Sequence, residues 1–470
     1  MIKVQLLKLI NVAFAQTAYQ PVLATLETPK QRDHGDFATP ICFALAKSFR
    51  KAPKEIAIEL CEFLNTVSDL QGVLEAVPLN GFINFKLFDA FIWSSLLALD
   101  VKAPSFPSSS GSILLEYVSA NPTGPLHIGH GRWAVLGSVM THLLRYTKHR
   151  VVTEFYVNDA GNQVTTFYDS VEAVKLGNPI PEAGYHGAYI QQLASLDQDP
   201  LTAMIDRQRT TLARLGVTFD EWFSEKTLYD KVEVTIERLK LGGWTYERDG
   251  AIWFSASQLG DEKDRVLVKA DGSYTYFAVD SVYHDNKLQR GFTQLINIWG
   301  ADHHGYVARI NAVIKALSKT EDPINLIVII GQLVSLMRDG APVRMSKRTG
   351  DMIELDEVID EIGVDATRYF LIEHRADTHL EFDLTLAKTQ SSDNPVYYIQ
   401  YAYARSCRIL EKCDHDRFDF ASVTLNELTQ IEHQLILLLV QWPDIAWSAA
   451  VQRQPYQISA YCLKVARLFH

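Results

Sequence analysis

The sequence predicts a chain of three folded parts, and the middle part is an α/β domain with a doubly wound parallel sheet. Three observations predict this. A stretch rich in Pro and Ser at 103–111 separates the first part from the rest. Beyond it, short apolar runs alternate with helical patterns, which is typical of a parallel sheet. From about 391 onwards only helical patterns remain.

The first part, residues 1–102, is predicted to be a small α+β domain. Its apolar residues near the N-terminus follow helical spacing and are interrupted by Lys3 and Lys8, which favours an amphipathic helix over a signal peptide. The predicted elements are three helices and one strand, near 2–18, 38–49, 53–66 and 82–85.

The middle part, predicted at 111–385, carries the strand–helix alternation. Short apolar runs predict buried strands at 113–118, 151–156, 295–299 and 324–330. Helical patterns lie at 128–148, from 162 onwards and near 305–317. Between about 178 and 265 the alternation is lost, and we expect an insertion there.

The last part, 391–470, is predicted to be all-α, with helices at 396–412, at about 425–441 and at the end. Its final apolar helix stops abruptly at His470, which would leave an apolar face uncovered. We therefore expect this domain to be truncated.

Composition argues against several classes of protein. The formal net charge of -11 speaks against a protein held on nucleic acid by overall charge. The five cysteines are odd in number and none are at CxxC spacing, which fits neither a disulfide framework nor a zinc knuckle and indicates a reducing cytoplasm. No run of about 18 or more apolar residues occurs, so no membrane span is expected.

The segment His127-Ile128-Gly129-His130 predicts a nucleotide site. It lies between the first strand of the middle part and its helix, where an α/β sheet presents a helix N-terminus to phosphates. Both histidines would face one way, and Gly129 would let a flat base lie against the backbone. The alternative is an ordinary pair of loop histidines; the preceding strand and the Pro-Thr-Gly-Pro approach favour function.

A second segment, the basic loop 344–350, follows the turn signal Arg338-Asp339-Gly340. Lys347 in this loop can place a positive charge on a developing pyrophosphate, whereas the alternative is a basic surface loop. The two segments together, in one α/β domain, predict an enzyme that uses ATP to adenylate a carboxylate.

These segments resemble the HIGH and KMSKS motifs of class I aminoacyl-tRNA synthetases. Arg344 stands where the second motif often has Lys, and Arg348-Thr349 replaces its final Ser. Longer strings make nearly the whole chain similar to arginyl-tRNA synthetases, which have a Rossmann-like catalytic domain; these strings lie at 34–39, 155–161, 260–269, 271–277, 299–305 and 394–402.

The resemblance implies a two-substrate site. His127, His130 and Lys347 would be catalytic, and ATP would contact His127, Gly129, His130, Met345, Ser346 and Lys347. Arginine would be held by Glu116, Ser119, Asn121, Tyr276, Asp280 and Asp302. Mg²⁺ would accompany ATP without a dedicated protein metal site.

Two of these acidic residues can also be interpreted without the resemblance. Asp280 could cap a helix that begins at Ser281. Glu116 lies inside the apolar run 113–118, where an unpaired carboxylate would be costly to bury, so a partner is expected.

The resemblance also implies that the chain is a cytoplasmic monomer that binds L-arginine and tRNA(Arg), and that activation needs bound tRNA. The N-terminal domain would contact the tRNA, with Lys47, Arg50, Lys51 and Lys54 as candidates, and the C-terminal helices would bind the anticodon. Two alternatives stay open: a nucleotidyl transferase that does not use tRNA, and a synthetase-like RNA-binding protein without catalysis.

Overall fold

The computed structural model describes residues 1–19, 23–108, 111–318, 324–343, 353–413 and 428–470. Met345, Ser346 and Lys347 lie outside the described residues, as does the side chain of Asp302. The chain forms two compact units, one made of Met1–Pro107, Ile399–Ser448 and Ala460–His470, the other of Ser108–Tyr398 and Ala449–Ser459.

The N-terminal segment folds as helices around a three-stranded antiparallel sheet with strand order β1-β3-β2. Its elements are α1 (Ile2–Phe14), β1 (Phe37–Thr39), α2 (Ile41–Phe49), α3 (Pro53–Leu64), β2 (Leu74–Leu79), β3 (Phe82–Leu87) and α4 (Asp89–Leu97). The expected small α+β fold is confirmed. Two strands escaped prediction, because β1 has three residues and β2 contains a proline, so neither shows a clear strand pattern.

The middle segment is built on a five-stranded sheet in which all neighbouring strands are parallel. Its elements are β4 (Ser112–Glu116), α5 (Ile128–Tyr146), β5 (Arg150–Val157), α6 (Asn162–Lys175), α7 (Ala188–Ala194), α8 (Pro200–Arg214), β6 (Glu221–Ser224), α9 (Val232–Leu241), β7 (Thr245–Arg248), β8 (Ala251–Phe254), β9 (Arg265–Val268), α10 (Tyr276–Gln289), β10 (Gln294–Gly300), α11 (Val307–Leu317), β11 (Asn325–Gly331), β12 (Val334–Arg338), β13 (Ala341–Pro342), α12 (Leu355–Ile362), α13 (Val364–Ile372), β14 (Leu380–Asp383) and α14 (Leu384–Lys388). The strand order β11-β10-β4-β5-β6 confirms the doubly wound, Rossmann-like fold.

Part of the range 178–265, which we expected to be an insertion, belongs to the main sheet. β6 pairs with β5 in parallel, and α8 leads into it, so the strand–helix alternation continues through this stretch. The sequence hid this strand because it lies at the sheet edge, where its four residues are exposed or half-buried and form no apolar run. The strands β7, β8 and β9 form a separate antiparallel sheet.

The strand order fixes where a ligand can bind. β4 has β5 on one side and β10 on the other, so the winding of the chain reverses at β4. In open α/β sheets, ligands bind beyond the carboxyl ends of the strands at such a reversal. The segments that follow β4, β5 and β10 therefore converge on one place.

The C-terminal segment is helical throughout its described residues, as expected. Its helices are α15 (Pro395–Lys412), α16 (Gln430–Val440), α17 (Trp442–Val451) and α18 (Tyr456–Phe469). Ile436, Leu437 and Val440 of α16 join the apolar core formed by α1 to α4 and their sheet, which places α16 in the same compact unit. No single described helix is long and apolar enough to cross a membrane, although the bent pair α16 and α17 passes that test together.

Within this first unit, His433 of α16 lies between two carboxylates. Its Nδ1 is 2.6 Å from an oxygen of Asp89, and its Nε2 is 3.1 Å from Asp36. Asp36 belongs to the string 34–39, and its other oxygen accepts the backbone N–H of Leu87. The hydrogen bond with Asp36, and that with Asp89, outweigh burial and raise the pKa of His433 to about 9.

This histidine predicts a pH dependence of stability. Because the folded-state pKa is raised, the stabilisation is complete below the unfolded pKa of about 6.5 and is lost as pH rises through about 9. We expect wild type to lose on the order of 2 kcal/mol more than His433→Gln between about pH 6.5 and 9.5. Urea unfolding at both pH values measures this; parallel losses in the two proteins would refute it.

Candidate active site

The segment His127–His130 forms the start of α5, with His127 as its N-cap. The Nδ1 of His127 accepts the N–H of Gly129 at 3.1 Å, and the Nδ1 of His130 accepts the N–H of His127 at 3.3 Å. The rings stack with centroids 3.7 Å apart. Because both Nδ1 atoms accept, each ring carries its proton on Nε2, which makes two similar donors.

Gly129 is needed at this helix start. A Cβ there would lie 2.9 Å from Cε1 and 3.0 Å from Nδ1 of the His127 ring, closer than real Cβ contacts allow. Any side chain at position 129 would therefore displace His127 from its stack with His130.

The turn after β4 is strained. Val118 and Ser119 have φ values of 69° and 43°, a conformation that a β-branched residue such as valine rarely adopts. The turn places the Ser119 hydroxyl where it donates to Glu116 at 3.1 Å and accepts the backbone N–H of Tyr156 at 3.1 Å. Strain of this kind, about 1–3 kcal/mol per residue, is typical of functional sites.

A polar stripe runs along α10. Its members follow helical spacing, so they lie on one face of the helix: Tyr276, Asp280, Tyr283, Lys287 and, just beyond the helix, Arg290. The last three anchor the helix to the central strands. The sequence analysis singled out only the first two, although the repeat of polar residues at intervals of four and three positions was a signal for the whole stripe.

Glu116 pairs with Lys287, and its predicted burial led us to expect a partner. Its carboxylate is 6% exposed and lies 2.5 Å from Nζ of Lys287, which is fully buried. The same Nζ donates to Asn297 at 3.3 Å. Lys287 was not predicted from the sequence. Since Lys287 and Ser119 occupy only part of the acceptor capacity of Glu116, the carboxylate can still accept a ligand.

A second buried pair secures the end of α10. Arg290 contacts both oxygens of Glu154 on β5, at 2.5 and 3.0 Å, and the hydroxyl of Tyr283 donates to Glu154 at 2.6 Å. Glu154 is fully buried. Together with Lys287, these contacts fix α10 against β4 and β5, and so fix the position of Asp280.

Asp280 is a half-buried acid that accepts a hydrogen bond from the hydroxyl of Tyr306. Burial, and to a lesser extent the charge of Glu116, raise the pKa of Asp280 to about 6 despite that bond. The alternative that Asp280 caps a following helix is wrong. α10 begins at Tyr276, and Thr275 caps it by accepting the N–H of Ala278.

Glu225, in the 3₁₀ helix after β6, is a further candidate for the site, and the sequence did not predict it. It is 7% exposed, and burial together with the charge of Asp280 raises its pKa. Asp159 positions this helix, because it accepts the hydroxyl of Ser224 at 2.5 Å and the N–H of Lys226 at 3.1 Å. The negative charge of Asp280 thus acts on Glu225, and a bound cation would favour the ionised form of both carboxyls.

The other candidates lie in the segments that follow β4 and β10 and at the start of α10. Asn121 accepts from Asn158 at 2.8 Å and donates to Gln163 at 2.7 Å, so it bridges the segments after β4 and β5. Tyr276 is 77% exposed at the start of α10. Asp302 belongs to the short helix Ala301–Tyr306 directly after β10. The structure therefore gathers the described candidates at the carboxyl edge of the sheet.

Comparison with known proteins shows the family of the chain. The chain is 42% identical to an Arginine--tRNA ligase of Heliobacterium modesticaldum, over 95% of this chain and 85% of that protein. The chain belongs to the arginyl-tRNA synthetase family. An Arginine--tRNA ligase of Carboxydothermus hydrogenoformans is 41% identical over 95% of this chain and 86% of that protein.

Three family models match separate parts of this synthetase-family chain. They are described as the arginyl tRNA synthetase N terminal domain at 4–87, the class I (R) tRNA synthetase catalytic domain at 188–391, and the DALR anticodon binding domain at 399–470. The solved Thermus thermophilus arginyl-tRNA synthetase has a TM-score of 0.79 at 21% identity, covering 100% of this chain and 91% of that one. At that identity it shows the shared fold alone.

Proposed function

We propose that this chain activates L-arginine with ATP and transfers it to tRNA(Arg). Family membership supports an aminoacyl-tRNA ligase that uses ATP. The observation that carries the proposal is the convergence, at one edge of the sheet, of the two-histidine helix start and the acidic pocket of Asp280 and Glu225. An adenylating enzyme must hold ATP and a carboxylate substrate side by side, and this edge presents groups for both.

In the first step, a carboxylate oxygen of arginine attacks the α-phosphorus of ATP. An acyl–phosphate bond forms, the bond to the β-phosphate bridging oxygen breaks, and pyrophosphate leaves with the electron pair. The Nε2 donors of His127 and His130 stabilise the charge that develops on the phosphates. We propose the same role for Lys347, with Met345 and Ser346 beside it, towards the leaving pyrophosphate.

In the second step, a terminal ribose hydroxyl of the tRNA attacks the arginyl carbonyl carbon. The new ester bond forms as the acyl–phosphate bond breaks, and AMP leaves and takes up the hydroxyl proton. Neither step uses a nucleophile of the enzyme, so its contribution is alignment of reactants and stabilisation of charge.

The acidic pocket explains selection of arginine. A guanidinium is a planar fork that a carboxylate accepts through two parallel hydrogen bonds, which an ammonium group cannot match. We assign this contact to Asp280, with Tyr276 on the same helix face and Glu116 supplying further negative charge. We propose that Ser119, Asn121 and Asp302 hold the α-amino and carboxylate end.

Mg²⁺ would enter this reaction with the nucleotide. Among the residues that the structure describes, no group of three or more His, Cys, Asp or Glu side chains is placed to hold a metal ion. The phosphates of ATP are therefore its expected ligands.

The described cysteines are free thiols, which supports the proposed cytoplasmic location. The monomeric state stays a prediction.

Charging of tRNA with labelled amino acids, offered one at a time, tests the proposed function. We expect arginine to be the amino acid that is transferred. Exchange of pyrophosphate into ATP should depend on arginine, and this exchange is measured both with and without tRNA. Transfer of another amino acid would overturn the assignment. Exchange without any tRNA charging would favour the nucleotidyl transferase alternative.

The raised pKa of Asp280 predicts that arginine binding weakens in mild acid. Only the ionised carboxylate holds a guanidinium by charge, and it is lost as pH falls through about 6. We expect KM for arginine to rise about tenfold between pH 7.5 and pH 5, with KM for ATP changing much less. Initial-rate measurements across this range check it, and Asp280→Asn should remove the dependence.

A further inference from the structure

The helix α8 holds the loop that leads into the two-histidine segment. Gln208 on α8 is 1% exposed, and its side-chain Nε2 donates to the backbone oxygens of Asn121 at 3.0 Å and Gly124 at 2.9 Å. That loop carries a proposed arginine-binding residue and ends at His127. One buried amide therefore fixes the backbone on which both substrates would rest.

A neighbouring face of α8 holds α12. Arg207 pairs with Glu354, and the hydroxyl of Thr211 donates to Asp356 at 2.6 Å. Arg214 also contacts Asp356, at 2.6 Å. Positions 207, 211 and 214 lie on one side of a helix, so α8 presents a continuous polar stripe to the start of α12.

The start of α12 also touches the nucleotide segment directly. The N–H of Leu355 donates to the carbonyl of Leu126 at 2.8 Å, and Glu354 forms a β-bridge with His127. In sequence, Glu354 follows Lys347 by seven positions. α8, the segment before His127 and the start of α12 are thus tied together in three pairwise contacts.

We propose that Arg207, Gln208 and Thr211 of α8 are positioning residues for adenylation, which hold the segment before His127 and the start of α12 in register. This inference rests on the proposed function. The three residues touch no substrate; they act through the backbone at 121–124 and through Glu354 and Asp356. A displacement of about 1 Å between reacting groups can slow a reaction about 100-fold, so such a clamp matters most for the chemical step.

These polar contacts are separable from the folding of α8. Leu201 and Met204 bury the first turns of the helix in an apolar cluster shared with α6 and α7. The ion pair of Arg207 with Glu354 is partly exposed to solvent, and such pairs contribute little to stability. Loss of this pair should therefore affect catalysis more than folding.

Pyrophosphate exchange in the presence of tRNA tests the clamp with the variants Arg207→Gln, Gln208→Leu and Thr211→Val. We expect kcat to fall about tenfold for Gln208→Leu and less for the others, with KM for arginine changed by less than about twofold. Arg209→Gln is the matched control, because its guanidinium lies on the same helix over the ring of Trp222 and makes neither contact. It should retain the wild-type kcat.

A charge swap supplies the decisive comparison. Arg207→Glu alone should lower kcat, and the double variant Arg207→Glu with Glu354→Arg should recover most of it while thermal stability stays similar. If the α8 variants behave like Arg209→Gln, or if kcat falls only in step with a lower melting temperature, the inference is wrong. An inactive wild-type enzyme would instead refute the proposed function, so the two failures are distinguishable.

Discussion

Asp280→Asn is expected to raise KM for arginine about 10- to 100-fold while KM for ATP changes by less than about twofold. The asparagine keeps the shape of the side chain but removes the charge that turns the guanidinium contact into a charge-assisted pair, worth about 1.5–3 kcal/mol. Because α10 is anchored through Lys287 and Arg290, the exchange should leave the pocket in place. Steady-state kinetics with each substrate varied in turn measure the effect.

Asp169→Asn is a matched control for this experiment, since Asp169 is exposed on α6. It should leave both KM values unchanged. Equal increases in the two KM values for Asp280→Asn would show that the site as a whole is disturbed and would reject Asp280 as the guanidinium acceptor.

Lys287→Met is expected to destabilise the protein strongly, because it leaves the buried carboxylate of Glu116 without its partner. Breaking one side of a buried ion pair typically costs about 3–5 kcal/mol. In a unit of this size, that loss corresponds to a fall in melting temperature on the order of 5–10 °C. Calorimetry of wild type and variant measures the shift.

The double variant Glu116→Gln with Lys287→Met separates charge from packing. It removes the uncompensated charge, so it should recover at least half of the lost melting temperature. If the double variant is less stable than Lys287→Met, the pair is not held together by charge compensation, and Lys287 stabilises the core through its alkyl chain instead.

The sequence was informative where a local pattern carries the structure. The runs at β4, β5 and β10 are largely buried and β11 is half-buried along most of its length, so each shows as a mainly apolar stretch that predicts a parallel strand. The first nucleotide segment was recognisable because a strand, a turn and a helix start follow each other within a few residues.

The sequence did not predict contacts in which a residue's role depends on a partner far away in the chain. Lys287 and Glu116 are far apart in the chain, and neither identifies the other without the packing of α10 against the sheet. Glu225 lies in a stretch with no clear periodicity, and only the placement of β6 beside β5 brings it near Asp280. The polar stripe on α8 has the same character, since its partners follow about 145 positions later.

By itself, the sequence determined the four apolar strands β4, β5, β10 and β11 of the main sheet, the two-histidine helix start, and the family to which the chain belongs. These follow from local patterns, whose periods and spacings are set by the backbone geometry of neighbouring residues. Only the tertiary structure decided which charges meet. It showed that Glu116 pairs with the buried Lys287, and that burial and neighbouring charge raise the pKa values of Asp280 and Glu225, because burial and charge depend on what surrounds a group in space.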